Sequence, residues 1–342
     1  MKNIITGIFA ILMFASCHKE EITLGTDAND VFFLQEDGIS LPIQVHGNVA
    51  SKKMLVIIHG GPGGSGISYR DDYVIANVEK EFAVVYWDQR FAASSQGDLA
   101  NADISSFKSD IKKVLQLLKS RYGNDTKFYL LGHSWGGFLT PYFLQDGTNQ
   151  SMVKGWIQVD GAHNYYKNDS LTKEMLLFYG KREIIANRNT ENWKGIVNYC
   201  NAHAYNESFD VAYQLNRYAE AAEGYIQEIS PIDNNALSIS IKNNIPITGA
   251  VSNLYYSAII KKIDHQAYVV PISQNLFKIK VPTLLLWGRY DFTCPIGLKD
   301  DIKKNIGSID VSEKIFENSG HSPMGNEPSI FWKSVINWVK LH

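Results

Sequence analysis

Three unbroken apolar runs punctuate the first half of the chain: Met54-Leu55-Val56-Ile57-Ile58, Phe82-Ala83-Val84-Val85-Tyr86-Trp87 and Phe128-Tyr129-Leu130-Leu131. Short runs with no polar alternation are the pattern of strands covered on both faces, as in a parallel sheet. Between the second and third runs, Phe107, Ile111, Val114, Leu115, Leu118 and Tyr122 fall at i, i+4, i+7, i+8, i+11 and i+15, one apolar stripe at helical period. Ser105 or Ser106 is placed to cap that helix and Gly123 to close it. Strand, helix, strand in this order predicts a right-handed crossover and parallel pairing. Upstream, Val31-Phe32-Phe33-Leu34 and Leu41-Pro42-Ile43-Gln44-Val45 flank the turn residues Asp37-Gly38 and read as two short strands.

A helix through Phe138 and Leu144 and a strand from Val153 to Val159 continue the rhythm, which then stops. From about Gly161 to Lys280 the pattern is helical, and eleven of the chain's eighteen tyrosines fall there. Strands return at Thr283-Leu284-Leu285-Leu286-Trp287 and at Val311 to Phe316, before a closing helix from Pro328 through Trp338. The fold class expected is therefore α/β, a mostly parallel central sheet flanked by helices. Residues 17–160 and 281–342 form its two parts, and 161–280 an inserted helical lid.

Composition narrows the classes of function. With 45% hydrophobic and 20% charged residues among 342, the chain is of folded, globular type, and 33 basic against 35 acidic residues give no reason to expect nucleic acid. The first sixteen residues stand apart. Lys2 precedes an apolar stretch from Ile4 to Phe14 that is short for a membrane span, followed by Ala15-Ser16, and this is the pattern of an export signal. Phe14-Ala15-Ser16-Cys17 resembles a bacterial lipobox, with Phe in the usual aliphatic position. The resemblance implies lipidation of Cys17 and anchoring of an exported protein to the bacterial envelope; a plain cleaved signal with an incidental cysteine is the alternative. His18-Lys19-Glu20-Glu21 is similar to tags that send some lipoproteins to the cell surface, but reads first as a solvated charge run. Cys200 and Cys294 are left as a possible pair, and no cysteine spacing suggests a metal site.

The chemistry concentrates in three loops after apolar strands. Gly132-His133-Ser134-Trp135-Gly136 is a G-x-S-x-G with a strand before and a helix after, the context in which a sharp turn lifts a serine clear of a sheet. A serine hydroxyl is protonated at neutral pH and needs a base. Asp291, in Trp287-Gly288-Arg289-Tyr290-Asp291, and His321, in Asn318-Ser319-Gly320-His321, supply an orienting acid and that base, in the order Ser, acid, His. His59-Gly60-Gly61-Pro62-Gly63-Gly64 follows the first buried strand and lacks the Gly-Lys-Ser/Thr ending of a phosphate loop. The N–H groups of Gly61 and Trp135 are the expected oxyanion donors.

Taken with Trp87-Asp88-Gln89-Arg90, these motifs resemble the proline iminopeptidase family of α/β-hydrolases across nearly the whole chain after the export signal. The resemblance implies removal of an N-terminal residue, often proline, from short peptides, without metal or other cofactor. In that family lid carboxylates hold the substrate's free amine, and Glu223-Gly224 is the local echo of the family's Glu-Gly. A solvated helix face is the other reading of Glu223. The chain departs from the family at His133 and Gly137 in the elbow, and at Phe91 after Asp88-Gln89-Arg90. The expected function is a serine aminopeptidase. The alternatives are an esterase or other acyl hydrolase, whose aromatic lid would grip an apolar group, and a surface binding protein on the same fold without turnover. An aspartate in the serine position, as dehalogenases and epoxide hydrolases require, is absent.

Overall fold

The computed structural model describes residues 27–36, 38–95, 103–232 and 261–342. The export signal, Cys17 and the His18-to-Glu21 run lie outside these residues, as do 233–260 of the stretch read as a lid. Eight strands, β1 (Asp27–Glu36), β2 (Ile39–Asn48), β3 (Lys53–Ile58), β4 (Ala83–Trp87), β5 (Lys127–His133), β6 (Gly155–Val159), β7 (Thr283–Gly288) and β8 (Val311–Phe316), form one sheet in the order β1-β2-β4-β3-β5-β6-β7-β8. β1 and β2 make an antiparallel hairpin, β2 joins β4 antiparallel, and every later pair is parallel. The hairpin strands run ten residues each, longer than their apolar centres suggest, because backbone pairing continues through the polar ends.

Alternation along the buried strands divides the core into two layers. Met54, Val56 and Ile58 of β3 share one cluster with Phe107, Ile111 and Val114 of α1 (Ile104–Tyr122), and with Phe138 and Phe143 of α2 (Gly136–Leu144). Leu55 and Ile57 face the other way and share a second cluster with Phe331, Trp332 and Val335 of the closing helix. All six α1 stripe residues are buried, each contributing about 1.5–3 kcal/mol for a fully covered large apolar side chain. The α1 cap differs from expectation. Asp103, not Ser105 or Ser106, precedes the first turn, and its carboxylate accepts the Ser105 N–H at 2.7 Å. A carboxylate at this end also meets the positive pole of the helix, which a serine hydroxyl does not exploit.

Between β6 and β7 the described residues contain no strand. They include α3 (Tyr165–Ile185), α4 (Thr190–Ala202) and α5 (Phe209–Glu223), plus helical residues 261–268. Leu176, Trp193, Ile196, Val211, Leu215 and Ala219 close a core of their own, with Tyr199, Tyr205, Tyr218 and Tyr225 packed against it. Phe292, from the loop after β7, is fully buried in that helical core. Cys200 lies in the same core and Cys294 in the sheet's first layer; both are buried and free. α6 (Gly297–Asn305) and α7 (Pro328–Leu341) complete the layers.

The loop after β4 is braced by a buried ion pair. Arg90 donates through Nε and Nη2 to the two carboxylate oxygens of Asp110, both at 2.7 Å, with the side chains 2% and 0% exposed. Removing one partner of such a pair leaves an uncompensated buried charge, at about 3–5 kcal/mol. Asp110→Ala is accordingly expected to lower unfolding stability by about 3–5 kcal/mol in urea titration, and a loss below about 1 kcal/mol would show that water reaches Arg90.

Candidate active site

The serine turn is forced by close packing. Ser134 has φ 55°, a conformation that costs a side-chain-bearing residue about 1–3 kcal/mol. Its N–H bonds to the Val159 carbonyl at 3.1 Å and its carbonyl accepts from Gly137 N–H at 2.8 Å, so β6 and the first turn of α2 hold the strain in place. The flanking glycines have no room for a side chain. A Cβ on Gly132 would lie 2.4 Å from Thr140 Oγ1, and one on Gly136 would lie 1.8 Å from the Ile58 carbonyl oxygen.

Three strand ends then converge. His321, after β8, stands with Nε2 2.9 Å from Ser134 Oγ, and its Nδ1 is 3.0 Å from Asp291 Oδ2 after β7. A carboxylate only accepts, so Nδ1 carries the proton and Nε2 is left to accept from the serine hydroxyl. Asp291 is fully buried, and its second oxygen accepts the Cys294 N–H at 2.7 Å, which fixes the carboxylate plane. Burial alone would lower the His321 pKa, but the charge of Asp291 and its hydrogen bond outweigh that and raise it above the ordinary 6.5. Asp160, at the end of β6, accepts the Gly288 N–H at 2.9 Å. Burial first, then the charge of Asp291, drives its carboxyl well above the usual range.

The glycine loop after β3 meets the elbow from the other side. Gly61 has φ 136°, and a Cβ there would lie 2.6 Å from the Gly63 nitrogen. Gln89 joins this loop to the elbow: it donates to the His59 carbonyl at 2.9 Å and accepts from Trp135 Nε1 at 3.0 Å. His59 Nε2 accepts the Gln89 N–H at 3.0 Å, and burial holds its imidazole below the ordinary range, a neutral ring. Asp88 accepts from Ser65 Oγ and Gly66 N–H. Trp87-Asp88-Gln89-Arg90 is thus a brace behind the glycine loop.

Ser134, Gly61 and Trp135 line one cavity of ≈ 130 Å³, closed on the helical side by Tyr165, Phe209, Tyr213 and Tyr268. Two carboxyls belong to the same wall. Asp169 Oδ2 accepts from Tyr268 Oη at 2.8 Å, and burial pushes its carboxyl up to about 7. Asp264, on the helix 261–268, is pushed up to about 7 by the same cause. Glu223 is not in this wall. Its carboxylate caps the backbone of two loops, accepting His321 N–H at 2.9 Å and Phe292 N–H at 3.2 Å. The solvated-face reading of Glu223 therefore fails. Burial, then the charge of Asp291, pushes its carboxyl up to about 8.

A family model described as "alpha/beta hydrolase fold" matches residues 53–328. The chain belongs to the α/β-hydrolase fold family. Along 314 residues this α/β hydrolase is 23% identical to the probable aminopeptidase YbaC of Bacillus subtilis, covering 88% of this chain and 93% of the relative. It is 27% identical over 309 residues to a proline iminopeptidase of Saccharolobus solfataricus, covering 88% and 89%. Among solved structures, a proline iminopeptidase of Mycobacterium smegmatis superposes with TM-score 0.64 at 15% identity, over 92% of this chain and 98% of that one. An esterase of Exiguobacterium antarcticum gives 0.59 at 18%, over 93% and 100%. At such identities the structural likeness carries the fold alone.

Sequence reading of this α/β hydrolase missed Asp169 and Asp264, because neither belongs to a local motif. With Lys261 one turn before it, Asp264 reads in the sequence as an ordinary surface acid. Among the described residues, Asp291, Cys294 and His321 alone bring three ligand-type atoms within 4.8 Å of one another. They fit a cation poorly, since Asp291 and His321 already bond to each other and burial drives the Cys294 thiol well above its ordinary range. Gln89→Leu would leave the Trp135 indole N–H and the His59 carbonyl buried without partners, each worth about 1–3 kcal/mol. A stability loss of at least about 2 kcal/mol by chemical denaturation is expected from that sum; an unchanged midpoint would show the brace to be dispensable.

Proposed function

We propose that this α/β hydrolase is a serine aminopeptidase that releases N-terminal residues from short peptides. Ser134 Oγ attacks the first peptide carbonyl while its proton passes to His321 Nε2. The N–H groups of Gly61 and Trp135 receive the oxyanion, and Asp291 holds the imidazolium that forms. Collapse breaks the C–N bond as His321 returns the proton to the leaving amine. Water then attacks the aminoacyl ester with His321 again as base, releasing the residue and restoring Ser134. This scheme asks for no metal or cofactor.

The observation that carries the peptide reading over the ester one is the pair Asp169 and Asp264 in the wall of the Ser134 cavity. Two carboxyls held out of water are uphill to ionise alone, and an ammonium group entering beside them supplies the missing countercharge. The amine site expected at Glu223 is thereby reassigned to these two residues. The relatives named aminopeptidase and proline iminopeptidase support the same class. The tyrosine-rich wall favours a second reading, an esterase that grips an apolar acyl group. For residues 1–17 we propose export and lipid anchoring at Cys17.

A panel of Pro- and Ala-naphthylamides, their N-acetylated forms and short acyl esters separates these readings. Turnover of the free-amine substrates, lost on acetylation, is expected, with Ser134→Ala reducing it about 10⁶-fold. Asp169→Asn and Asp264→Asn should each raise KM for the free-amine substrates by about tenfold or more, the worth of one charge-assisted hydrogen bond. Equal cleavage of acetylated substrates would reject amine recognition, and turnover of the acyl esters alone would establish the esterase reading instead.

The pH profile has a defined sign. An imidazolium cannot accept the serine proton, so reaction of Ser134 with a fluorophosphonate should fall as pH drops through the His321 pKa, above 6.5. Asp291→Asn should slow that reaction about 10⁴-fold by freeing the wrong tautomer. A rate independent of pH between 5 and 8 would exclude His321 as the base.

A further inference from the structure

We propose that His133 and Glu223 are positioning residues for the base, holding the backbone carbonyl and the backbone N–H of His321 from two different elements. The proposal rests on His321 acting as base toward Ser134, and it assigns work to two residues that lie outside the cavity wall.

The carbonyl end is held through a row of hydrogen bonds whose every proton is determined. His133 Nε2 is 2.8 Å from the His321 carbonyl oxygen, which only accepts, so Nε2 carries the hydrogen. His133 Nδ1 is then an acceptor, and Tyr69 Oη donates to it at 2.6 Å. Tyr69 Oη in turn accepts the Gly60 N–H at 3.0 Å. The row runs from the glycine loop through the elbow to the base, with the two imidazoles 4.9 Å apart at 38°. Burial, followed by the charge of His321, pushes His133 down to about 3, so the ring stays neutral wherever the enzyme is folded and active.

The N–H end is held from the helical segment. Glu223, the last residue of α5, spans the His321 and Phe292 amides with its two oxygens, and so ties together the loops that carry the base and the acid. Gly320 makes room for it, since a Cβ there would stand 2.2 Å from Glu223 Oε2. With both backbone groups of His321 held, the ring's remaining freedom is its own torsions, which the Asp291 bond settles. Misplacement of a reacting group by 1 Å costs about 10²-fold in rate.

His133→Ala and Glu223→Ala are each expected to slow fluorophosphonate labelling and kcat by about 10–100-fold while KM stays within about threefold, because the loss is in alignment and not in substrate contact. His133→Gln, whose amide N–H reaches the same carbonyl, should recover most of the rate. Gly320→Ala should reproduce the Glu223→Ala loss without altering the carboxylate. The double variant should lose less than the product of the single losses, since both act on one residue. Folded single variants that label at the wild-type rate, that change KM alone, or that multiply in the double would overturn the proposal. Should His133→Ala fail to fold, Tyr69→Phe, which removes the proton that fixes the His133 tautomer, is expected to show the same split between kcat and KM; a wild-type rate there would overturn it equally. Wild-type protein that takes no label at Ser134 would refute the serine hydrolase reading itself, and the positioning of a base with it.

Discussion

Strands β3 and β5 lie side by side in parallel register from Lys53 opposite Lys127 to Ile58 opposite Gly132, and the site is a consequence of what happens one residue further on. There the chain leaves β3 for β4 on one side of the sheet, and leaves β5 for β6 on the other. The two departing loops diverge, opening a crevice at the reversal of strand order. Their roots remain in contact: Gly136 presses on the Ile58 carbonyl, and a Cβ on Gly60 would come within 3.2 Å of the Ser134 Cβ. A serine and a glycine loop with exposed N–H groups thus face one another over a distance set by sheet geometry. The positive φ of Ser134 is tolerated because the neighbouring hydrogen bonds overdetermine it.

Around that crevice the same functional group takes different parts according to its surroundings. Asp291 accepts two hydrogen bonds, one from the base and one from the Cys294 amide. Asp160, a short distance away and equally buried, accepts only from Gly288 and is driven toward its neutral form by the neighbouring charge. Two like charges in one dry space cannot both be sustained cheaply, and it is the Asp160 carboxyl that rises. Asp169 and Asp264 face the cavity, where the proposed aminopeptidase reading brings in a countercharge from the substrate. Glu223 faces backbone amides and serves geometry.

The helices between β6 and β7 are therefore more than a cover. Phe292 is anchored in their core while its neighbour Asp291 meets the imidazole, and Glu223 reaches from the end of α5 to the loops after β7 and β8. Any shift of that helical core relative to the sheet acts directly on the acid and the base. The acid and base loops are thereby tied to the helices that line the cavity.

Much of this molecule could be read locally. The unbroken apolar runs became β3, β4 and β5, and the 3.6-residue stripe became α1, because burial on two faces or on one face leaves a periodic mark that no distant residue can erase. Gly132, Ser134 and Gly136 were legible for the same reason: the turn they make is a property of five consecutive residues. The α1 cap was misplaced by two or three residues, since Asp103 and the serines after it are all competent caps and only the course of the incoming chain chooses between them. Sequence by itself thus settled the order of strands and helices, the residue types at the elbow, and the sequence of Ser, Asp and His along the chain. Tertiary structure alone decided which carboxyls meet the cavity and which meet the backbone, because residues 169, 223, 264 and 291 reach their places through loop paths and helix packing that leave no periodic trace in the chain. A carboxyl's role is set by the dielectric and the donors around it, and those belong to the folded neighbourhood.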